Sequence, residues 1–269
     1  MSELMNRVLT RLGVGAAPVD VDGLAAVYRA WCRSVPFDSA RKRMFQAAGA
    51  TGPVPDRTSE EFLESWLTTG TGGTCWSTSL GLHAVCVALG FEARLVPGVM
   101  LTDPDTRPNH GTVLVTLDGV DWLVDTSMLF DRPLELRRDA PTAHTDPVHP
   151  VDGTPTVEGW LVRWRPAHSD LVIGCEISAD GASWADWDEW HDRTRGHSLF
   201  NSSLYVRRNV DHGIIAYGRG KVVTRDATGQ LGRELVPADG VVDVLVDRFG
   251  YDRELASTLP PDDTGDAFL

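Results

Sequence analysis

Apolar residues in the first ninety positions recur at three- and four-residue spacing, the period of a helix with one buried face. Leu24, Val27 and Trp31 follow this spacing, and Pro36 closes the segment that they define. A second segment of the same kind begins at Ser59, its predicted N-cap. We therefore predict a mainly helical N-terminal region.

The segment from Trp76 to Leu89 is apolar on nearly all sides. A helix without a polar face is typical of a protein interior. Gly90 follows the segment, as a C-terminal cap would. We predict a buried helix that begins at or just after Cys75.

From Phe91 to about Ile177 the apolar period changes to two. Short β-rich segments are separated by Pro, Gly and Asp, which is typical of an antiparallel sheet or barrel. These segments are 91–101, 111–119, 120–128, 159–165 and 170–178.

Beyond Asp180 the pattern is mixed, and an acidic tail from Pro260 is expected to be frayed. A Trp-rich segment, three strand patterns and one helix pattern follow each other at 182–192, 203–209, 214–218, 221–226 and 238–250. The changes of pattern predict an α+β fold with boundaries near residues 90 and 195. The predicted domains are helical over 1–90, β-barrel over 91–195 and α/β over 196–269.

The 269 residues carry a formal net charge of -13 at pH 7. Binding of nucleic acid depends on clustered Lys and Arg, so this charge argues against such a partner. The short basic runs 41–43 and 207–208 are expected to be solvated surface. No apolar run approaches the roughly 20 residues that span a bilayer, and the N-terminus has no signal-peptide pattern. We expect a cytoplasmic protein with no membrane partner.

The four cysteines are widely spaced and include no C-x-x-C pair. This spacing argues against a structural zinc site and, in a reducing compartment, against a disulfide framework. We expect no bound metal, and each cysteine is judged alone.

Cys75 lies two residues past the pair Gly72-Gly73. A thiol at a helix start is exposed to unpaired N–H groups that stabilise an anion. The glycines allow close approach of a ligand, and the N–H groups near Thr74 and Cys75 could hold an oxyanion. The alternative is an inert buried thiol after a turn. A nucleophilic cysteine needs a base and an orienting group.

The segment 110–128 reads as a β-hairpin around Asp118-Gly119. With a two-residue turn, Val113 faces Val124 and the register gives one wholly apolar face. His110 and Asp125 then share the opposite face as diagonal neighbours, close enough for their side chains to meet. The pair is a candidate base and orienting carboxylate for Cys75.

Six motifs together resemble the arylamine N-acetyltransferase family. They are SVPFD (34–38), TGGTCW (71–76), RPNHGTVLVTLDG (107–119), WLVDTSM (122–128), HSLFNSSLYVRR (197–208) and GRGKVVTRD (218–226). The resemblance implies a helical bundle, a central antiparallel β-barrel and a C-terminal α/β lid around a core like that of cysteine proteases and transglutaminases. It also implies a catalytic triad at Cys75, His110 and Asp125, and acyl transfer from coenzyme A through a cysteine thioester.

The chain departs from the family pattern next to these residues. Thr71 replaces an arginine, Asp38 replaces a glutamate, and the segments 77–79 and 126–129 are altered. We therefore expect retained thioester chemistry with an altered substrate, for example an acyl chain on a carrier protein, as in the amide synthases of the same superfamily.

The predicted function is transfer of an acyl group from acyl-CoA or a carrier-protein thioester to a small-molecule acceptor, with no tightly bound cofactor. His110 would act as base in both half-reactions. The alternatives are an amide synthase or offloading cyclase, a thioester or amide hydrolase, and a binding module that only retains the fold.

By analogy with the family, Phe37, Phe200 and Ser127 are candidate residues of the substrate cleft. A further aromatic set recurs at three-residue intervals and could line the cleft or simply pack in the core. It consists of Trp184, Trp187 and Trp190.

Overall fold

The computed structural model describes residues 1–49, 51–103, 107–196 and 198–261. His197, which opens one of the family-like motifs, and most of the acidic tail lie outside the described residues. Eight helices are described: α1 (Glu3–Leu12), α2 (Val21–Ser34), α3 (Ala40–Ala47), α4 (Ser59–Thr69), α5 (Cys75–Ala88), α6 (Trp184–Arg193), α7 (Val241–Phe249) and α8 (Arg253–Thr258). None of them is long and apolar enough to cross a membrane.

Thirteen strands are described: β1 (Phe37–Asp38), β2 (Glu92–Met100), β3 (His110–Leu117), β4 (Val120–Val124), β5 (Leu134–Leu136), β6 (Thr142–His144), β7 (Val151–Pro155), β8 (Gly159–Trp164), β9 (Ile173–Ser178), β10 (Tyr205–Val210), β11 (Gly213–Gly218), β12 (Lys221–Arg225) and β13 (Leu231–Leu235). The periodicity predicted most of the long elements. The short strands β1, β5 to β7 and β13 and the helices α1, α3 and α8 were not predicted.

The N-terminal helices begin and end at residues that cap their backbone. The N-cap of α4 is Thr58, whose hydroxyl accepts a hydrogen bond from Glu61 N over 3.1 Å, so the prediction of Ser59 as the cap was wrong by one residue. The buried helix α5 was predicted correctly, and Gly90 after it has a φ of 93°. This helix packs against β2 and β3, so Cys75 at its start lies beside the barrel.

The eight-stranded sheet has the order β5-β4-β3-β2-β9-β8-β7-β6. Its two ends approach each other, because the leucines of β5 lie against Gly153 on β7, and the sheet is a nearly closed antiparallel barrel. The hairpin register is confirmed, since Val113 pairs with Val124 and Leu117 with Val120. The predicted α+β class with a central barrel is also confirmed.

The second sheet joins distant parts of the chain in the order β1-β10-β11-β12-β13. Phe37 of β1 pairs with Arg207 of β10, so the residues just before α3 belong to the C-terminal sheet. The domain boundaries near residues 90 and 195 remain predictions. This pairing brings Phe37 and Asp38 next to the glycines that precede Cys75.

Candidate active site

The turn before α5 is built so that only glycine fits in it. A Cβ at Gly72 would lie 1.6 Å from the carbonyl oxygen of Pro36. The Gly73 carbonyl accepts a hydrogen bond from Asp38 N over 3.0 Å. Thr74 is the N-cap in extended conformation, and Cys75 is the first residue of the helix and is 8% exposed. The thiol thus lies at the positive end of a 14-residue helix.

Asp38 holds this turn by accepting two backbone hydrogen bonds. Its Oδ2 accepts from Gly72 N over 2.5 Å and its Oδ1 from Ala40 N over 3.0 Å. Burial raises the pKa of Asp38 to about 6, although a hydrogen bond with the Tyr251 side chain, the two backbone hydrogen bonds and the charge of Arg41 lower it. Arg41, whose charge acts on Asp38, forms its ion pair with Asp56 at 3.1 Å.

We expect kcat/KM for acyl transfer to decrease as pH falls through about 6, because protonation of Asp38 removes a charged acceptor from Gly72 N–H. Asp38→Asn should lower kcat/KM about tenfold and abolish this acid limb. The profile of kcat/KM against pH measures both effects. Asp56→Asn is the matched control and should keep the limb, since Asp56 makes no hydrogen bond to the turn; a limb that survives in Asp38→Asn would contradict the assignment.

His110 and Asp125 meet as the hairpin predicted. His110 Nε2 lies 2.7 Å from Asp125 Oδ2, and the side chains are 3% and 0% exposed. Burial lowers the pKa of His110, but the charge and hydrogen bond of Asp125 and the hydrogen bond with Cys75 outweigh it and raise the pKa to about 10. Burial raises the pKa of Asp125, but His110 and backbone N–H groups lower it to about 2. The pair is therefore charged at neutral pH.

The other carboxylate oxygen of Asp125 organises the loop that follows β4. Oδ1 accepts from Ser127 N and Oγ, both at 2.9 Å, and from Met128 N at 2.7 Å. The C-terminal sheet supports this loop, because Arg207 Nη1 donates to Ser127 O over 3.1 Å and Asn209 to Leu129 O over 2.8 Å. The loop that holds Asp125 is therefore supported by the C-terminal sheet as well as by the barrel.

Two of the segments that depart from the family pattern meet in a cluster of buried hydroxyls. Thr78 Oγ1 lies 2.7 Å and Ser79 Oγ 3.1 Å from Thr126 Oγ1. Ser79 also donates to Gly111 O, next to His110, over 3.0 Å. These side chains bond to one another across α5, β3 and the loop after β4. They connect the elements that carry Cys75, His110 and Asp125.

Two tryptophans pack on the residues that follow Cys75 and His110. The Trp187 ring lies 4.7 Å from the Trp76 ring, and Trp190 lies 6.0 Å from it. A Cβ at Gly111 would lie 2.5 Å from Trp187, so this position admits no side chain. Trp184 is 54% exposed and does not belong to the cluster. Helix α6 thus packs on both the start of α5 and the start of β3.

The three candidate cleft residues are not all in one place. The rings of Phe37 and Phe200 lie 5.2 Å apart, with Tyr205 6.1 Å and 6.0 Å from them. Ser127 is separate, since it caps Asp125. Tyr205 was not singled out in the sequence. Tyr205 and Arg207 are two residues apart and therefore lie on the same face of β10. This spacing could have identified Tyr205 from the sequence.

The basic runs are not solvated, and that expectation was wrong. Lys42, Arg43 and Arg207 are 6%, 5% and 3% exposed. Lys42 lies on the side of α3 that faces the start of α5, and Arg207 lies over the loop after Asp125. In the described part of the chain, no cluster of His, Cys, Asp and Glu is arranged to hold a metal ion.

Comparisons with known proteins place this fold among the acetyltransferases. A structure of the Mycobacterium marinum arylamine N-acetyltransferase in complex with CoA aligns with a TM-score of 0.79 at 21% identity, over 94% of this chain and 96% of that one. A Mycobacterium smegmatis arylamine N-acetyltransferase aligns with a TM-score of 0.79 at 21% identity, over 96% and 95%. The architecture of helices, barrel and C-terminal sheet is therefore that of an arylamine N-acetyltransferase.

The sequence itself assigns the family. Residues 20–256 match the family model described as N-acetyltransferase. The chain belongs to this family of acyltransferases, as the six motifs indicated. It is also 24% identical over 191 residues to the Proansamycin X synthase of Amycolatopsis mediterranei (strain S699), which covers 70% of this chain and 72% of that protein.

Proposed function

We propose that the protein transfers an acyl group from a thioester to a nucleophile through a covalent intermediate on Cys75. The observation that carries this proposal is the buried His110–Asp125 pair, with Cys75 hydrogen-bonded to the same imidazole at the start of α5. The described residues thus provide a nucleophile, a proton carrier and an orienting carboxylate in one site.

In the first half-reaction the proton shared by Cys75 and His110 resides on the imidazole, because Asp125 stabilises the imidazolium. The thiolate attacks the donor carbonyl, and the N–H groups near Thr74 and Cys75 stabilise the oxyanion. The bond from carbon to the donor sulfur breaks as the bond to Cys75 Sγ forms. His110 can give its proton to the leaving thiolate.

In the second half-reaction a nucleophile attacks the acyl group on Cys75. A new bond forms to the acyl carbon, the bond to Sγ breaks, and Cys75 leaves as a thiolate beside the imidazolium of His110. The proton of the nucleophile goes to a base in the site. With an amine as nucleophile the product is an amide, and with water it is a free acid.

The donor is a thioester on coenzyme A or on a carrier protein, and the acceptor is a small molecule. The CoA complex of the Mycobacterium marinum enzyme supports the first donor. The similarity to Proansamycin X synthase supports the amide synthase alternative, in which a chain is released from its carrier by an internal amine. The aromatic cluster of Phe37, Phe200 and Tyr205 adjoins the turn before Cys75, because Phe37 forms a β-bridge with Gly73, and it would contact the acyl group.

The donor class is tested by incubating the protein with matched acyl groups on coenzyme A, on N-acetylcysteamine and on an acyl carrier protein, each with aniline as acceptor. Amide formation from any of them supports acyl transfer, and the relative kcat/KM identifies the carrier. Free acid without amide would favour the hydrolase. No acylation of the protein by any donor would contradict the proposal and leave a binding module.

A further inference from the structure

The connection between α7 and α8 lies against the C-terminal end of α4, shortly before the turn that leads to the nucleophile. Asp252 N donates a hydrogen bond to Thr69 O over 2.7 Å. A Cβ at Gly70 would lie 2.0 Å from the carbonyl oxygen of Gly250, so the two backbones touch and position 70 admits only glycine. The chain that enters the turn before α5 is therefore held by residues from the far end of the sequence.

Tyr251 lies in the middle of this connection and is 3% exposed. Its hydroxyl acts on the carboxylate of Asp38 as a hydrogen-bond donor. Within the described residues this hydroxyl has no other partner, and a buried hydroxyl without a partner costs free energy. Burial and the charge of Asp38 raise the pKa of Tyr251 well above its usual range, so the phenol keeps its proton.

The carboxylate of Asp38 is buried and depends on donors that surround it. The residue is 0% exposed, and its two oxygens accept from Gly72 N and Ala40 N. Arg41, the neighbouring cation on α3, forms its ion pair with Asp56 instead. A buried carboxylate is costly unless its oxygens are hydrogen-bonded, so a third donor stabilises its charged form.

Position 71 does not provide that donor. The family pattern has an arginine there, and this chain has Thr71, which is fully buried. Thr71 Oγ1 lies 2.7 Å from Thr69 Oγ1, and Thr71 N donates to the same oxygen over 3.3 Å. The side chain at position 71 thus bonds to the end of α4. The donors around Asp38 are two backbone N–H groups and the phenol of Tyr251.

We propose that Tyr251 is a positioning residue of the active site, an inference that rests on the proposed acyl transfer. Its hydroxyl donates to the carboxylate of Asp38, and Asp38 in turn holds Gly72 N–H in the turn before Cys75. Tyr251 does not touch the reacting atoms and acts through Asp38. The C-terminal helices therefore contribute to the shape of the turn from which the nucleophile projects.

Other charged or titratable groups share a small cavity with Asp38. They are Arg41 and Lys42 on α3, Asp56 before α4 and His191 on α6. Lys42 Nζ donates to Thr194 Oγ1 over 2.8 Å, and burial lowers the pKa of His191 to about 3, so its imidazole is neutral. Burial, and to a smaller extent the charge of Asp38, raises the pKa of Asp56 to about 7. Asp56 titrates close to Asp38, and a variant without Asp38 separates the two.

Tyr251→Phe removes only the hydroxyl and keeps the ring. A hydrogen bond to the charged form of an acid lowers its pKa, so its loss should raise the pKa of Asp38. The acid limb of kcat/KM should move upward from about 6 by about one to two pH units. At pH 7 this shift lowers kcat/KM about two- to tenfold, with recovery above the shifted limb. Transfer from p-nitrophenyl acetate to aniline measures the profile without requiring the natural donor.

Two further variants separate positioning from packing. In Asp38→Asn the limb is already absent, so adding Tyr251→Phe should leave the profile unchanged. Phe249→Leu disturbs the same apolar cluster, and it should lower thermal stability but keep the limb at about 6. A limb that stays in place in Tyr251→Phe, or that moves equally in Phe249→Leu, would overturn the proposal.

Thermal unfolding gives a readout that does not depend on catalysis. The hydroxyl stabilises the ionised carboxylate, so Tyr251→Phe should lower the melting temperature more above the Asp38 pKa of about 6 than below it. In Asp38→Asn the same substitution should have an equal effect on both sides of this pH. An equal effect in the wild-type background would overturn the proposal. The expected pH dependence together with no acyl transfer by wild type would refute the proposed function and leave the Tyr251–Asp38 contact in place.

Discussion

Replacing Cys75 with alanine is expected to lower acyl transfer by at least about 10⁴-fold, the largest effect of any single substitution. Alanine leaves His110 and Asp125 in place but removes the atom that would carry the acyl group. No neighbouring side chain can take over, because the helix start, the turn at Gly72-Gly73 and the imidazole all converge on this thiol. Amide formation from a thioester donor measures the effect, and thermal unfolding verifies that the fold is intact.

Cys86→Ala is the matched control, because Cys86 lies on the same helix and burial raises the pKa of its thiol to about 12. It is fully buried and away from the His110–Asp125 pair, so the variant should lose some stability and keep its rate of transfer. Comparable loss of activity in both variants would mean that packing of α5, and not the Cys75 thiol, explains the effect.

Asp125→Asn is expected to slow acyl transfer about 10³- to 10⁴-fold with little effect on the fold. The amide oxygen can still accept hydrogen bonds from Ser127 N and Met128 N, so the loop after β4 is retained. What is lost is the negative charge that stabilises the imidazolium of His110 at 2.7 Å. The variant therefore keeps the geometry of the site but loses the electrostatic stabilisation of the protonated His110 ring.

The His110–Asp125 pair also determines the direction in which pH affects the site. Asp125 raises the pKa of His110, so imidazolium is stabilised below the folded pKa of about 10 and this contribution is lost as pH rises through it. In Asp125→Asn that loss should occur at lower pH. Alkylation of Cys75 by iodoacetamide across pH measures the shift. Asp121→Asn, on the same hairpin but paired with Arg94, is the control and should behave as wild type; an unchanged Asp125→Asn profile would contradict the assigned role.

The hairpin could be predicted because a short stretch of sequence determines both its turn and its register. Asp118 and Gly119 adopt φ angles of 49° and 78°, the two positive values that a tight hairpin turn requires. Once the turn is fixed, the period of two assigns every side chain to a face, and a slip by one residue would expose the apolar set. The sequence alone therefore predicts that His110 and Asp125 share one face.

The surroundings of the site could not be predicted in this way. Strand β1 has two residues and exists only because β10 pairs with it from the far end of the chain. The hydroxyl cluster at Thr126 joins residues nearly fifty positions apart. Lys42 looked like part of a solvated run, because its burial depends on α6 and on Thr194. Such contacts are set by tertiary packing and leave no periodic signal.

The altered segments next to the triad also take on a different meaning in the fold. Thr78, Ser79 and Thr126 were candidates for a changed substrate site, yet their side chains are buried and bond to each other. In the proposed function the aromatic side chains around Phe37 contact the acyl group instead. Substrate preference should therefore follow changes at Phe37, Phe200 and Tyr205 more than changes in the hydroxyl cluster.

The central claim is that Cys75 carries the acyl group, and intact-protein mass spectrometry after mixing with a thioester donor tests it most directly. The account predicts a gain of one acyl group, mapped to the peptide that contains Cys75 among the four cysteines, and its loss when an amine is added. An unmodified protein that nevertheless forms amide, or an acyl group on another residue, would contradict it.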